Sequence, residues 1–375
     1  MADRAFHNLS LFDDDSLEAA DETLCLKESL LLDVLGQCKS IEFMRSLRQA
    51  IAHIKRRVRD PQDALHANGS KDQTVEFSKN HLISELDQIA ESLTIERAQY
   101  YVDRLIKSVS EIRTSPINDI NLKRWKEYDD IYTDSLWIID RRDSSGAHTA
   151  GYWGNFIPQI PHQMMRRYTK KGEWVLDTFA GSGTTLIEGQ RLGRNTIGIE
   201  LQARMVEYAR RLVISEPNRY NVTTDVINAD STSVDYKSLL QKHKINSVQL
   251  IIMHPPYFDI IKFSEDPRDL SNASSTETFL EMMGKIVDNV APILDKGRYL
   301  ALVIGDKYIK GEWIPLGFQT MNEVTKRGFL LKSIIVKNFE DTSGKRNQKE
   351  LWRYRALVGG FYIFKHEYVF VFKKQ

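Results

Sequence analysis

The apolar positions of the chain follow two different rhythms. Between residues 24 and 112 they recur at helical spacing, as Ile41, Met44, Leu47, Ile51 and Ile54, then Leu82, Leu86, Ile89 and Leu93, then Val102, Ile106, Val109 and Ile112. Steps of three and four residues put such side chains on one helix face, so this region is predicted to be α-helical. Asp60-Pro61 and Asn68-Gly69-Ser70 supply turn and breaker chemistry and predict an exposed loop, and Thr114-Ser115-Pro116 ends the last helix. From about Glu173 the rhythm changes to short β-branched runs separated by helical patterns, the texture of βαβ units and a largely parallel sheet. Seven strands are predicted, over 174–179, 196–201, 222–227, 248–253, 299–304, 330–336 and 368–372. The last two are joined by a long connection containing Gly344 and Gly359-Gly360 with no clear crossover helix, so they are expected to pair antiparallel at one edge. No internal repeat is evident. The chain therefore divides into a helical region, 1–120, and an α/β domain, 121–375.

Composition narrows the classes. With 375 residues, 42% of them hydrophobic and 27% charged, the chain is neither disordered nor a disulfide scaffold. Its 52 Lys and Arg against 51 Asp and Glu leave a formal charge of +1, so contact with nucleic acid must rest on local basic patches. Cys25 and Cys38 belong to no metal-ligand array, and no metal is expected. The acidic N-terminus lacks the layout of a signal peptide, and no apolar run nears the roughly 18 residues of a membrane helix. A soluble, cytoplasmic protein is expected.

The chemistry begins after the first strand of the α/β domain. There Asp177-Thr178-Phe179-Ala180-Gly181-Ser182-Gly183-Thr184-Thr185 leads into an amphipathic segment. Glycines at a strand-to-helix turn let backbone N–H groups approach a ligand closely. Nineteen residues after Gly181, at the end of the next strand, stands Glu200, where a carboxylate can accept from both ribose hydroxyls of a nucleoside. Leu186 occupies the place of the third glycine of the dinucleotide fingerprint, and no P-loop lysine follows. A nucleoside ligand without a pyrophosphate fits better.

Asp-x-Phe-Ala-Gly-Ser-Gly-Thr-Thr followed by Ile197-Gly198-Ile199-Glu200 resembles the S-adenosylmethionine-binding motif of the amino DNA methyltransferases, which modify cytosine N4 or adenine N6. The resemblance covers about residues 150–375. It implies a seven-stranded Rossmann-like sheet with helices on both faces beside the N-terminal helical region. By similarity Asp177, Phe179, Ala180, Gly181, Ser182, Gly183 and Thr184 hold the cofactor's methionine end, Glu200 and Leu201 its ribose, and Asp230 with Ser231 its adenine. Asn155 and Phe156 lie in a looser match to a flanking cofactor motif.

At the end of the fourth strand stands His254-Pro255-Pro256-Tyr257-Phe258, where the family carries Asp, Asn or Ser before Pro-Pro-Tyr. An exocyclic amine conjugated into a base is a poor nucleophile. Two acceptors on its N–H bonds, one on the first side chain and one on the Pro255 carbonyl, localise its lone pair and aim it at a sulfonium methyl. Two prolines stiffen that backbone, and Tyr257, with Phe258, is expected to stack on a base swung out of the duplex. Neutral imidazole offers one acceptor nitrogen and imidazolium none, so activity is expected to fall as His254 is protonated. Ser at the first position goes mostly with cytosine and Asp or Asn with adenine in the family; histidine does not choose.

Three segments are candidates for nucleic-acid contact. Residues 45–59 carry six Lys and Arg and no acid, among them Arg45, Arg48, Lys55 and Arg56; phosphate contact and a solvated basic face explain this equally well. Residues 345–355, with Lys345, Arg346, Trp352, Arg353 and Arg355, mix cations and aromatics in an expected loop, suited to phosphate contact and base stacking. Residues 259–275, with Lys262, form a polar segment able to close over a flipped base. The terminal His366-Glu367-Tyr368 resembles the start of the family's last strand and is assigned a structural role. The function expected is methyl transfer from S-adenosylmethionine to cytosine N4 or adenine N6 of double-stranded DNA. A cognate restriction or defence subunit and a homodimer are compatible partners. Two rival readings stand: an RNA exocyclic-amine methyltransferase, and a non-catalytic subunit binding cofactor and DNA.

Overall fold

Thr-Leu-Cys-Leu-Lys and Thr-Val-Glu-Phe-Ser alternate in polarity, and each forms a short strand whose alternate residues are buried: β1 (Thr23–Lys27) and β2 (Thr74–Ser78). In the computed structural model, which describes residues 22–67, 73–149, 151, 154–309, 311–339 and 349–375, these strands belong to one of two compact units, the described residues up to Arg113 together with Asn121–Tyr128. Helices α1 (Glu28–Lys39) and α2 (Met44–Arg59) follow β1; α3 (Lys79–Ala90) and α4 (Ile95–Ser110) follow β2. The predicted loop at Asn68-Gly69-Ser70 lies outside the described residues.

The unit is an internal duplication, which corrects the expectation of no repeat. A constant offset of 51 residues relates every element of the first half to its counterpart in the second. The buried apolar residues pair at that offset as well: Leu24 with Val75, Leu26 with Phe77, Leu31 with Leu82, Leu35 with Leu86, Cys38 with Ile89, Leu47 with Ala98, Ile51 with Val102, Ile54 with Leu105 and Val58 with Val109. Strands β1 and β2 pair antiparallel with Cys25 opposite Glu76, its own counterpart, so a local twofold axis passes through the middle of the ribbon. The halves interlock: α1 packs on α4 and α2 on α3. Even the caps are exchanged. Arg48 donates to the Ala90 and Ser92 carbonyls at 2.9 and 3.3 Å, and its counterpart Gln99 donates to the Lys39 and Ile41 carbonyls at 3.2 and 3.1 Å.

The second unit, Thr114–Ile120 and Asp129–Gln375, holds the sheet. Its elements are β3 (Leu136–Trp137), α5 (Gln159–Tyr168), β4 (Trp174–Asp177), α6 (Thr184–Leu192), β5 (Asn195–Glu200), α7 (Ala203–Ser215), β6 (Thr224–Asn228), α8 (Tyr236–Lys242), β7 (Val248–Met253), α9 (Thr276–Val290), β8 (Leu294–Ile304), β9 (Lys307–Ile309), β10 (Glu312–Ile314), α10 (Leu316–Thr325), β11 (Phe329–Asn338), α11 (Lys349–Gly359) and β12 (His366–Lys374). The sheet runs β3-β11-β12-β8-β7-β4-β5-β6, parallel from β8 to β6, with β12 antiparallel to both its neighbours. Successive residues of the central strands point to opposite faces. Val175, Leu250, Ile252, Ala301 and Val303 pack with Ile160, Met164 and Met165 of α5. Leu176, Ile251, Leu300 and Leu302 pack with Leu239 of α8 and Phe279 and Met283 of α9.

All seven predicted strands are present. An eighth, β3, pairs with β11 and is only two residues long, too short to carry a periodic signal. The final pair is antiparallel as expected, but β12 lies inside the sheet, between β11 and β8. The connection between them contains helix α11 in place of the expected loop, because Glu350, Leu351, Arg353, Arg355, Ala356 and Leu357 are strong helix formers.

Strand β4 pairs with β5 on one side and β7 on the other. Chain order reverses there, and the crevice beyond the carboxyl ends of strands at such a point is where open α/β sheets bind ligands. The glycine loop leaves β4 and His254-Pro255-Pro256-Tyr257 leaves β7, so both motifs reach one crevice.

Candidate active site

The loop after β4 is held by hydrogen bonds from its backbone N–H groups. The Phe179 N–H donates to Asp177 Oδ1 at 2.8 Å, Ala180 N–H to the Ile199 carbonyl at 2.8 Å, and Gly183 N–H to the Ala180 carbonyl at 2.7 Å. Gly183, at φ +88°, starts α6 from the left-handed region that glycine tolerates. On β5, a Cβ at Gly198 would meet Ala180 and Leu186 at 2.8 and 2.7 Å, so glycine there lets the loop lie against the strand.

Glu200 closes this loop from the neighbouring strand. Its carboxylate accepts Gly181 N–H at 3.0 Å and Gln202 N–H at 2.8 Å. Burial pushes its pKa up to about 7 despite these bonds, and the nearby carboxylates Asp177 and Asp269 add to the rise. Asp177, wholly buried, is pushed up to about 6 by desolvation. Asp230 accepts the Thr232 N–H and hydroxyl, both at 2.8 Å, and the Ser231 hydroxyl donates to the Thr178 carbonyl at 2.6 Å. Asn155 accepts from Ser182 at 2.5 Å and so joins the flanking segment to the glycine loop.

A cavity of about 860 Å³ receives both motifs. Of the residues predicted to hold cofactor, Asn155, Phe156, Phe179, Gly181, Glu200, Leu201, Asp230 and Ser231 line it; Asp177, Ala180, Ser182, Gly183 and Thr184 do not, and shape the loop from behind. His254, Pro255, Pro256 and Tyr257 line the same cavity. Phe156 lies against the His254 ring, with centroids 4.7 Å apart.

The Pro-Pro-Tyr segment carries a hydrogen-bond chain. The Tyr257 hydroxyl donates to Glu367 Oε2 at 2.7 Å, Lys337 donates to Glu367 Oε1 at 3.0 Å, and His254 Nε2 lies 3.2 Å from the Tyr257 oxygen. Burial pushes the Glu367 carboxyl up, but the Lys337 ammonium outweighs it and holds the pKa below the usual range. Burial and the Glu367 charge hold the Tyr257 phenol well above its ordinary value. The phenol thus keeps its proton and spends it on Glu367, which leaves its oxygen to accept from His254. The assigned tautomer therefore carries its proton on Nε2 and an acceptor lone pair on Nδ1. Burial lowers the His254 pKa to about 4, so the ring is neutral across the physiological range. Glu367 and Lys337 were missed as site residues: they stand on β12 and β11, and the only signal was the His-Glu-Tyr start of the last strand.

Several nucleic-acid candidates sit elsewhere. Phe258, expected to stack on a base, has φ +53°, which turns its side chain into the core against Phe279; it is buried and does not line the cavity. Lys262 pairs with Glu265 at 2.5 Å on the surface, while its neighbours Ile260, Ile261 and Phe263 reach the cavity. Trp352 lines the cavity, and Arg353 and Arg355 are exposed on α11. Lys345 and Arg346 lie outside the described residues. On α2, Arg48 caps α3 and Lys55 pairs with Asp87, so these two tie helices together, whereas Arg45 and Arg56 are exposed.

A Rossmann-like sheet with a crevice at its switch point and a Pro-Pro-Tyr turn in that crevice is the architecture of a methyltransferase. The chain belongs to the DNA methylase family of N6 and N4 enzymes, whose model matches residues 43–211 and 248–375. Among curated relatives, the Type II methyltransferase M.MjaII of Methanocaldococcus jannaschii is 42% identical over 50 residues, 13% of this chain and 9% of that protein. The Type II methyltransferase M.BglI of Bacillus subtilis is 24% identical over 138 residues, 35% of this chain and 38% of that protein. A tRNA (guanine(10)-N2)-dimethyltransferase of Methanocaldococcus jannaschii is 32% identical over 106 residues, 28% of this chain and 29% of that protein. The matched stretches span only 9% to 38% of the length of these relatives. S-adenosylmethionine is the family's cofactor, and the chemistry of the crevice fits it: the buried Glu200 carboxylate at the end of β5, Asp230 beside the Ser231 hydroxyl, and a glycine loop whose Gly181 lines the cavity. Among the described residues no helix is long and apolar enough to cross a membrane.

Proposed function

We propose that this protein transfers a methyl group from S-adenosylmethionine to the exocyclic amine of adenine or cytosine in double-stranded DNA, by direct attack of a base flipped out of the helix. The observation that carries this reading is the single cavity lined by Glu200 and Asp230 at one end and His254–Tyr257 at the other. Bound there, the cofactor supplies an electrophilic methyl on a positively charged sulfur. Glu200 accepts from the ribose hydroxyls, Asp230 from the adenine amine, and the Gly181 end of the loop faces the methionine portion. His254 Nδ1 and the Pro255 carbonyl accept the two N–H bonds of the target amine, which localises its lone pair. The amine nitrogen so prepared would take that methyl, with the electrons of the carbon–sulfur bond staying on sulfur. The surplus proton on nitrogen leaves along its hydrogen bond to Nδ1, a site basic enough to take it and acidic enough to pass it to water. Tyr257 holds the imidazole in its accepting tautomer, and its ring flanks the base position.

Methylation-aware sequencing of DNA from cells expressing the chain tests this reading. N4-methylcytosine or N6-methyladenine at a defined sequence, lost in Tyr257→Ala, is expected; unmodified DNA overturns it. The match to tRNA guanine-N2 enzymes favours a second reading, methylation of an RNA amine. Labelled cofactor with parallel DNA and RNA pools separates the two. A restriction or defence subunit, a homodimer and a cytoplasmic setting belong to the same proposal.

A further inference from the structure

Among the described residues, one face of the duplicated unit's ribbon is exposed. On β1 and β2 the inward residues Leu24, Leu26, Val75 and Phe77 are buried against the helices, while Thr23, Cys25, Thr74 and Glu76 are exposed on the opposite side. Both edges of the ribbon are closed. The Cys25 carbonyl accepts Ala67 N–H at 2.9 Å and Lys27 N–H donates to Leu65 at 2.8 Å; at the equivalent place on β2, Arg124 donates to the Glu76 carbonyl. Strand addition at an edge is thereby blocked, and contact is left to the side chains of the face.

The duplication also broke its own symmetry in charge. Helix α2 carries Arg45, Arg48, Lys55, Arg56, Arg57 and Arg59 and no acid, whereas its counterpart α4 carries Glu96 and Asp103 among its cations. The cationic end of α2 borders the ribbon: His66 forms a bridge with Leu26 of β1, and its Nε2 lies 3.1 Å from the carbonyl of Val58. Arg56 and Arg59, on either side of Val58, are exposed there. A two-stranded ribbon fits the DNA major groove, cations beside it suit the flanking phosphates, and a twofold reader matches the local symmetry of duplex DNA.

We infer that the β1–β2 ribbon is a sequence-reading surface for double-stranded DNA, with Thr23 and Thr74 at equivalent positions about its axis and Cys25 and Glu76 unlike at the centre. The target then has related flanks and an asymmetric middle, and Arg56 and Arg59 contact phosphate without reading sequence. The inference rests on DNA being the partner of the proposed methyl transfer, but binding tests it without transfer.

The test uses the full chain and a randomised duplex library, with bound sequences selected and affinity measured across salt. Wild type is expected to select a preferred sequence. The variant T23A/C25A/T74A/E76A, altered only at exposed positions, should lose at least about tenfold in the ratio of selected to random DNA while cofactor affinity is unchanged. R56A/R59A should weaken binding to all sequences and lower the salt slope by about one per residue. Ribbon variants that select the same sequence with the same ratio overturn the inference, as does a wild type that binds no duplex. So does a wild-type dimer that the ribbon variant dissolves, which would make the face a contact between copies. DNA selection through the ribbon without methyl transfer would leave this inference standing and sink the proposed reaction.

Discussion

Replacing Glu367 by glutamine tests the hydrogen-bond chain behind His254. In the native arrangement Glu367 takes the Tyr257 proton at 2.7 Å, and His254 Nε2 faces the phenol oxygen at 3.2 Å. A carboxamide at 367 can turn its NH₂ to the phenol, which sends the Tyr257 proton to His254 Nε2 and moves the ring proton to Nδ1. The group facing the amine then becomes a donor. Restoring the accepting tautomer means giving up a charge-assisted hydrogen bond worth about 1.5–3 kcal/mol, so kcat should fall about 10- to 100-fold. Cofactor affinity should hold, since Glu367 lies at the other end of the cavity from the Glu200 site. Glu367→Gln also leaves Lys337, only 4% exposed, without its counter-charge, at a cost of about 3–5 kcal/mol. Lys337→Met/Glu367→Gln removes that burden and leaves the carboxamide free to turn its oxygen to the phenol; it should melt nearer to wild type than Glu367→Gln and regain part of the lost rate. The assay is single-turnover transfer at saturating cofactor across pH, with folding checked by thermal melting. Because His254 titrates at about 4, the wild-type rate should be flat through the ordinary imidazole range and fall only as pH approaches that value. An acid limb near 6.5, or a folded Glu367→Gln variant with wild-type kcat, would refute the reasoning.

Three further outcomes follow from the same geometry. On the proposed reading Glu200 accepts from ribose in its ionised form, and its pKa of about 7 means cofactor affinity should rise as pH rises from 6 to 8, by up to about tenfold; calorimetry should find this dependence gone and affinity reduced in Glu200→Gln. Gly198→Ala drives a methyl into Ala180 and Leu186; a loss of about 1–3 kcal/mol in chemical denaturation and weaker cofactor binding are expected, and a neutral result would mean that the loop relaxes freely. Glu188 accepts from His148 at 2.7 Å and His162 at 2.9 Å. Despite burial, these partners hold Glu188 down at about 2, and Glu188 with Asp130 holds His162 up at about 9. His162 stabilisation is complete below its unfolded value near 6.5 and lost as pH rises through 9. Glu188 stabilisation is present above about 4.5 and lost as pH falls through 2. Melting temperature between pH 6 and 10 should therefore fall in wild type and flatten in His162→Ala.

The central sheet was legible because its inner strands bury both faces and read as short apolar, β-branched-rich runs, and Val248–Met253 was located to the residue. The cofactor end was legible because its chemistry is local: a glycine turn, then a carboxylate one strand later. The second layer of the site was not. Glu367 reaches Tyr257 across 110 residues of sequence, and only the pairing of β12 with β8 brings them together. Phe258 misled because adjacency to Tyr257 says nothing of direction, which a positive φ decides. The duplication escaped because its halves share apolar class rather than identity: Leu26 answers to Phe77 and Cys38 to Ile89, while identical pairs such as Leu31 and Leu82 are few.

Crosswise capping has a consequence for how the N-terminal unit came to exist. Each half borrows a cap from the other: Arg48 finishes the other half's third helix and Gln99 finishes the first. A lone half would have to meet a second molecule to fold, at a rate set by how crowded the solution is. Joined by a tether, the two meet at an effective concentration set by the linker alone, and each copy becomes free to drift. One copy now carries six cations and no acid on its long helix and the other both signs, an asymmetry that two identical subunits could not hold.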